Sequence, residues 1–194
     1  MKIGVLALQG DYQNHINRLR ELSIDSKKVR YPNDFDLLDG LIIPGGESTT
    51  MSNLINKQGL YEVINNFINT KPVYGTCAGL ILLSSIIKNN NQLKKNIKSF
   101  KVLDMEIERN GWGRQINSFI KEIKIKPFKK KYKAIFIRAP KIKSLNKDIE
   151  VLSQFSNTPV MIKKGHILGT TFHPELTEDK RIHKYFINMI KSIK

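Results

Sequence analysis

The single cysteine of the chain, Cys77, lies between Gly75 and Gly79 in the segment GTCAG. This spacing matches a nucleophile elbow, a tight strand-to-helix turn whose apex side chain points outward. Small neighbours allow the strained turn to close, and the helix N-terminus at the apex favours a thiolate over a thiol. Cys77 is therefore a candidate nucleophile. The alternative, a small structural cysteine in a glycine turn, fits this motif about equally well.

The segment TFHPE, residues 171–175, supplies the other groups that a nucleophilic cysteine needs. A thiolate that attacks a carbonyl carbon requires a base that takes and returns a proton, and the base requires an orienting partner. Residues two apart in an extended segment point the same way, so we expect the Glu175 carboxylate beside the His173 imidazole. Pro174 is expected to keep this backbone extended. The sequence thus predicts a Cys77, His173 and Glu175 triad.

Zinc binding is an alternative use of cysteine, histidine and glutamate. A structural zinc site usually contains close Cys or His pairs, and this chain has one thiol with no paired histidine nearby. No metal site is therefore predicted. The remaining histidines are expected on surface helices or turns and are assigned no chemistry: His15, His166 and His183.

The segment PGGES, residues 44–48, follows an apolar run and could donate hydrogen bonds to a developing oxyanion. Loss of one such donor typically slows acyl transfer by about 100- to 1,000-fold. The backbone N–H groups of Gly46 and of Ala78, just after the nucleophile, are the candidate donors, because glycine lets a loop approach a ligand closely. A glycine turn leading into a helix capped by Ser48 or Thr49 is compatible with this role.

Alternating apolar strands and helices are predicted to position these residues. Three segments show the order strand, break and helix. In the first, the apolar run KIGVLAL is followed by apolar residues at helical spacing over residues 12–22. The other two are DGLIIPGGESTT and KPVYGTCAGLILLSSII. This order predicts a mainly parallel sheet with helices on both faces. Antiparallel strands are expected from SFIKEIKI, YKAIFIRA, IEVLSQF and TPVMIK, and HILGTTFHPE returns to a buried strand. The last segment predicts an amphipathic helix with these apolar residues on one side: Ile182, Phe186, Met189, Ile190 and Ile193.

Composition limits the classes of protein that the chain can represent. With 194 residues it is expected to form one domain, residues 1–194, without disulfides. One cysteine and no leader pattern predict a cytoplasmic protein, and no apolar run approaches the roughly 20 residues needed to span a membrane. The net charge of +16 raises the alternative of a nucleic-acid-binding protein. Apart from KPFKKKYK the lysines are dispersed, which favours a solvated basic surface and no nucleic-acid partner.

Together, GTCAG, PGGEST and FHPE resemble the motifs of class I, or triad, glutamine amidotransferases. The segments LALQG, LIIPGGESTTM, ERNGWGRQ, FIRAP and TFHPELTED are similar to those of the glutaminase subunit of pyridoxal 5′-phosphate synthase, over nearly the whole chain. RNGWGRQ and IRAP speak against the alternative enzyme, the glutaminase subunit of imidazole glycerol phosphate synthase. The resemblance implies a three-layer, flavodoxin-like α/β fold with a mixed, mainly parallel sheet.

The resemblance also implies an activity and a partner. L-Glutamine would be hydrolysed to L-glutamate and ammonia through a thioester, without a cofactor, and ammonia would pass to the synthase subunit in a multi-subunit complex. It implies a glutamine pocket that contains Gly46, Glu47, Ser48, Arg109, Ile137 and Arg138. The family usually has a Glu-His pair shortly after LQG, and Asn14 here replaces that glutamate, so its partner contact is not predicted for this chain.

Overall fold

The computed structural model describes residues 1–89, 97–112 and 118–193, and the motif residues 113–115 lie outside these ranges. The strands are β1 (Lys2–Leu6), β2 (Asp25–Val29), β3 (Gly40–Ile43), β4 (Val73–Thr76), β5 (Ser84–Asn89), β6 (Leu103–Arg109), β7 (Ser118–Ile123), β8 (Tyr132–Ile137), β9 (Lys141–Leu145), β10 (Glu150–Phe155), β11 (Thr158–Lys164) and β12 (Ile167–Thr170). The helices are α1 (Tyr12–Glu21), α2 (Ser48–Lys57), α3 (Tyr61–Thr70), α4 (Ala78–Leu83) and α5 (Arg181–Lys191).

The largest sheet has the strand order β10-β11-β12-β4-β3-β1-β2. The strands from β12 to β2 in this order pair in parallel, whereas β11 is antiparallel to both β10 and β12. A second sheet contains β5, β6 and β9, and β7 pairs with β8 in an antiparallel hairpin. The prediction of a mainly parallel sheet with antiparallel additions in the second half is therefore confirmed.

Helices cover both faces of the large sheet. Leu41 and Ile43 of β3 pack into an apolar cluster with α2, α3 and α4, whereas Ile42 packs into a second cluster with α1 and α5. Successive side chains of a strand point to opposite faces, so one short apolar strand contributes to both clusters. This arrangement confirms the predicted three layers. The expectation of a single domain over residues 1–194 stays a prediction.

The chain after α4 differs from the expected helix. Helix α4 ends at Leu83, and the next residues form β5, which pairs in parallel with β6. The Ser84 hydroxyl donates to the Ile81 carbonyl at 2.7 Å at this helix end, and Ile86 and Ile87 are β-branched residues that favour strands. The apolar side predicted for the last helix is also found, except that Ile193 lies beyond the end of α5 and is exposed.

Two features of the structure concern the helices and the lysine-rich segment considered above. In the described part of the chain, no helix has the length and apolar character needed to cross a membrane. The lysines of KPFKKKYK are exposed between β7 and β8 and at the start of β8.

Candidate active site

Parallel strands end at one edge of the sheet and bring the predicted residues together. The loop PGGES follows β3, Cys77 follows β4, and His173 lies just beyond β12. Thr76 and Thr170, the last residues of β4 and β12, are paired, and the Cys77 N–H donates to the Thr170 carbonyl at 2.8 Å. The carboxyl ends of neighbouring parallel strands are where α/β folds form binding crevices.

Cys77 occupies a strained turn between β4 and α4, as the elbow motif predicts. Its φ of 47° and ψ of −101° lie where residues with a Cβ atom are uncommon. A Cβ at Gly75 would lie 2.8 Å from the carbonyl carbon of Gly79, so the two glycines pack directly on each other. A Cβ at Gly79 would overlap the Ile43 carbonyl. The small residues therefore allow α4 to begin against the sheet.

The predicted contact between His173 and Glu175 is present. His173 Nδ1 lies 2.7 Å from Glu175 Oε1, and both side chains are buried. The predicted extended backbone is wrong, because Pro174–Leu176 form a 3-10 turn. Proline suits the first position of a helical turn as well as an extended strand, and the chain here has already left β12.

His173 lies in an electrostatic environment that favours its charged form. Burial lowers its pKa, but hydrogen bonds to Cys77 and Glu175 and the charges of these two groups raise the pKa of His173 to about 11. Because Nδ1 contacts Glu175, Nε2 is the ring nitrogen left for Cys77. The arrangement favours an imidazolium beside Cys77.

His15 and His183 are buried in a chain of contacts that leads to Glu175, so their predicted surface positions are wrong. Both are fully buried, and His15 Nε2 lies 3.4 Å from Glu175 Oε2. His15 Nδ1 lies 3.0 Å from His183 Nε2, which joins α1 to α5. Helical spacing could have found both residues, because His15 precedes Leu19 by four positions and His183 precedes Phe186 by three on the buried stripes. His166 is half-buried, and its Nε2 contacts the Ile68 carbonyl at 2.6 Å.

A cavity of about 270 Å³ opens beside Cys77 and His173. Its walls include every residue predicted for the glutamine pocket: Gly46, Glu47, Ser48, Arg109, Ile137 and Arg138. A larger, open groove of about 720 Å³ lies along residues 124–131 and 151–154 and contains none of the predicted residues. The smaller cavity is therefore the candidate substrate site.

Glu47 connects the PGGES loop, helix α2 and the pocket. Its carboxylate accepts from the backbone N–H groups of Thr49 and Thr50 at 3.2 and 2.7 Å, so Glu47 caps α2 and the predicted cap by Ser48 or Thr49 is wrong. Burial opposes ionisation of Glu47, but the hydrogen bonds from Thr50 and Thr49 lower its pKa to about 2. Arg109 Nη2 lies 2.7 Å from Glu47 Oε1. Two predicted pocket residues thus form an ion pair.

The predicted oxyanion donors are Gly46, in the wall of the cavity that Cys77 lines, and Ala78, the residue after Cys77. Ala78 is the first residue of α4, so its N–H has no acceptor within the helix. Gly46 lies in the cavity wall, and its loop is held because the Glu47 N–H donates to Gln9 Oε1 at 2.9 Å. The roles of Gly46 and Ala78 stay predictions.

One group of possible metal ligands occurs among the described residues, formed by Asp11, His173 and Glu175. Two ligands of a tetrahedral zinc ion lie about 3.3 Å apart, given metal–ligand bonds of about 2.0 to 2.1 Å. His173 Nδ1 and Glu175 Oε1 are 2.7 Å apart, which is the distance of a direct hydrogen bond. We therefore assign no metal to this group.

Comparisons with known proteins agree with the geometry. The model of the SNO glutamine amidotransferase family matches residues 5–192. The pyridoxal 5′-phosphate synthase subunit PdxT of Thermosipho africanus is 47% identical over 192 residues, which cover 98% of this chain and 100% of the relative. The PdxT of Fervidobacterium nodosum is 46% identical, with 98% of each chain covered. A crystal structure described as a glutamine amidotransferase has a TM-score of 0.90 and 37% identity, covering 97% of this chain and 98% of its own. The chain belongs to the SNO glutamine amidotransferase family.

Proposed function

We propose that the protein hydrolyses L-glutamine to L-glutamate and ammonia, with Cys77 as nucleophile, His173 as acid and base, and Glu175 as its orienting partner. Family membership supports the reaction class. The observation that carries the assignment of residues is their convergence: Cys77 and His173 line one cavity, and Glu175 holds His173 Nδ1 at 2.7 Å.

The proposed reaction has two halves. The Cys77 thiolate attacks the side-chain amide carbon of glutamine, while the N–H groups of Ala78 and Gly46 stabilise the oxyanion. The C–N bond then breaks, the His173 imidazolium gives its proton to the departing ammonia, and a γ-glutamyl thioester remains. Neutral His173 takes a proton from water, the resulting hydroxide attacks the thioester, and the Cys77 thiolate leaves as glutamate is released.

The charged groups of the cavity suit an amino-acid substrate. Arginine grips a carboxylate with two parallel hydrogen bonds, so Arg109 and Arg138 are the proposed partners of the substrate carboxylate. The ionised carboxylate of Glu47, with a pKa of about 2, suits the substrate ammonium group. We propose that Ser48 and Ile137 complete the wall of this pocket.

We propose that ammonia passes to the synthase subunit of a pyridoxal 5′-phosphate synthase, because the relatives at 46–47% identity carry the name of a subunit of that enzyme. Ammonia released into water would be protonated and lose its nucleophilicity, which favours a partner bound over the cavity. The exposed side of the LALQG and PGGES loops is the proposed docking face, and docking is expected to raise activity by ordering the oxyanion loop. We also propose that the chain forms one domain and that the protein works in the cytoplasm.

Ammonia or glutamate release from L-glutamine, measured with and without the cognate synthase subunit, tests this function. Activity should require the wild-type thiol and disappear in Cys77→Ala, and a glutamine-like electrophile should label Cys77 alone. His166→Leu is a matched histidine control outside the cavity and should retain activity. Absence of turnover with the synthase subunit, combined with tight, salt-sensitive DNA binding, would favour the nucleic-acid alternative instead.

A further inference from the structure

We infer that His15 and His183 are positioning residues that hold the Glu175 carboxylate in its working orientation, an inference that rests on the proposed function. Neither histidine lines the cavity, so their action would pass through Glu175 and His173. They would influence the rate of the chemical steps without contacting glutamine.

The two oxygens of the Glu175 carboxylate have different surroundings. Oε1 contacts His173 Nδ1, whereas Oε2 is buried and makes no hydrogen bond of good geometry within the described residues. His15 Nε2 lies 3.4 Å from Oε2. A buried carboxylate oxygen without a donor costs free energy, so an N–H on His15 Nε2 is the favourable arrangement.

Both histidines are neutral, which gives each ring one N–H and one acceptor nitrogen. Burial is the main cause that lowers the pKa of His15, and the charges of His183 and His173 add to it. Burial, together with the charge of Arg18 and against that of Glu21, lowers the pKa of His183 to about 4.

The hydrogen-bond partners then select one pair of tautomers. If His183 Nε2 carries the proton, it donates to His15 Nδ1, and His15 Nε2 then carries an N–H toward Glu175 Oε2 and Thr76 Oγ1. The opposite pair would place an acceptor lone pair of His15 against the carboxylate. It would also leave a proton on His183 Nδ1, which is buried without a partner in the described structure.

The chain of contacts therefore runs from His183 through His15 to Glu175 and on to His173. It orients the carboxylate through Oε2, because α1 and α5 hold the two histidines and His15 Nδ1 lies 3.0 Å from His183 Nε2. In metal sites, loss of the outer partners that orient a ligating side chain typically costs about 10- to 100-fold in metal affinity or activity. We expect an effect of this size on kcat.

The test compares His15→Leu, His15→Gln and His183→Leu with wild type, using ammonia release in the presence of the synthase subunit. A glutamine-like electrophile that labels Cys77 counts the competent sites, so kcat is expressed per labelled site. His15→Leu should lower kcat about 10- to 100-fold with KM for glutamine unchanged. His15→Gln, whose amide N–H can replace the Nε2 donor, should recover most of this loss, and His183→Leu should show a smaller loss.

The controls separate the possible failures. His166→Leu removes a histidine at the other end of β12 and should keep the wild-type kcat. A wild-type kcat per labelled site in His15→Leu, or equal losses in His15→Leu and His15→Gln, would overturn the positioning role. If His15→Leu does not fold, His183→Leu and His183→Gln provide the same comparison. An inactive wild-type complex would instead overturn the proposed function itself.

Discussion

Gly45 occupies a position where a side chain would collide with the proposed acid and base. A Cβ built on Gly45 would overlap His173 Cε1 and would lie 3.0 Å from His173 Nδ1 and 3.4 Å from Cys77 Cβ. The loop cannot easily retreat, because the Gly45 carbonyl accepts from the Asp11 N–H at 3.1 Å and packs against Gly10. In Gly45→Ala, the imidazole is therefore the group expected to move.

The size of this displacement sets the expected loss. Restoring ordinary van der Waals contact requires the imidazole to move by about 1 Å, and a misplacement of that size can lower a rate about 100-fold. This loss corresponds to about 2.7 kcal/mol of activation free energy. Overpacking a buried site also destabilises a fold by about 1 to 3 kcal/mol, so activity and stability must be measured separately.

The assay is glutamine-dependent ammonia release with the synthase subunit, together with urea unfolding of the glutaminase alone. Gly59→Ala is the matched control, because Gly59 has a φ of +66° and, among the described residues, no atom lies within 4 Å of the methyl group that the substitution adds. Its strain should cost about 1 to 2 kcal/mol of stability and leave kcat unchanged. A folded Gly45→Ala protein with the wild-type kcat would refute the packing of this loop against His173.

Two further perturbations address the pocket and the buried histidines. Arg109→Met should raise KM for glutamine and lower the free energy of unfolding by less than about 1 kcal/mol, since its ion pair with Glu47 is partly exposed; an unchanged KM would exclude Arg109 from substrate binding. The pKa of His183 falls from about 6.5 in the unfolded chain to about 4 in the fold, so lowering the pH protonates the unfolded chain first. The part of the free energy of unfolding that depends on neutral His183 is therefore fully present above pH 6.5 and is lost as the pH falls through 4. In urea unfolding between pH 7 and pH 4, His183→Leu should therefore lose about 3 kcal/mol less stability than wild type, and equal losses would contradict this.

The local geometry of the site could be predicted from sequence because its motifs are local. The spacing of Gly75, Cys77 and Gly79 specifies a turn whose close packing admits only small neighbours, and the structure has that turn. The contact between His173 and Glu175 was also predictable, since residues two apart can meet in an extended segment and in a 3-10 turn alike. The backbone between them was not, because proline is compatible with both conformations.

The features that sequence analysis missed depend on contacts between distant segments. His15 and His183 come from helices at opposite ends of the chain, and each has one polar neighbour, Asn14 and Lys184 respectively. Their burial follows from packing α1 and α5 on the same face of the sheet. The strand β5 was missed for a different reason: a short apolar run such as GLILLSSII does not distinguish a helix from a strand by periodicity alone.

Cys77 and Glu175 lower the stability of the fold, which indicates that these residues are present for the chemistry of the site. Cys77 has a strained backbone, and Glu175 is a fully buried carboxylate whose second oxygen faces a neutral histidine. Strain of this kind costs about 1 to 3 kcal/mol, and buried charged groups can often be replaced by apolar residues without loss of stability. The apolar clusters on both faces of the sheet can support such costs, but packing alone gives no reason for them. A reaction that needs a charged imidazole in a fixed orientation beside a thiol does give one.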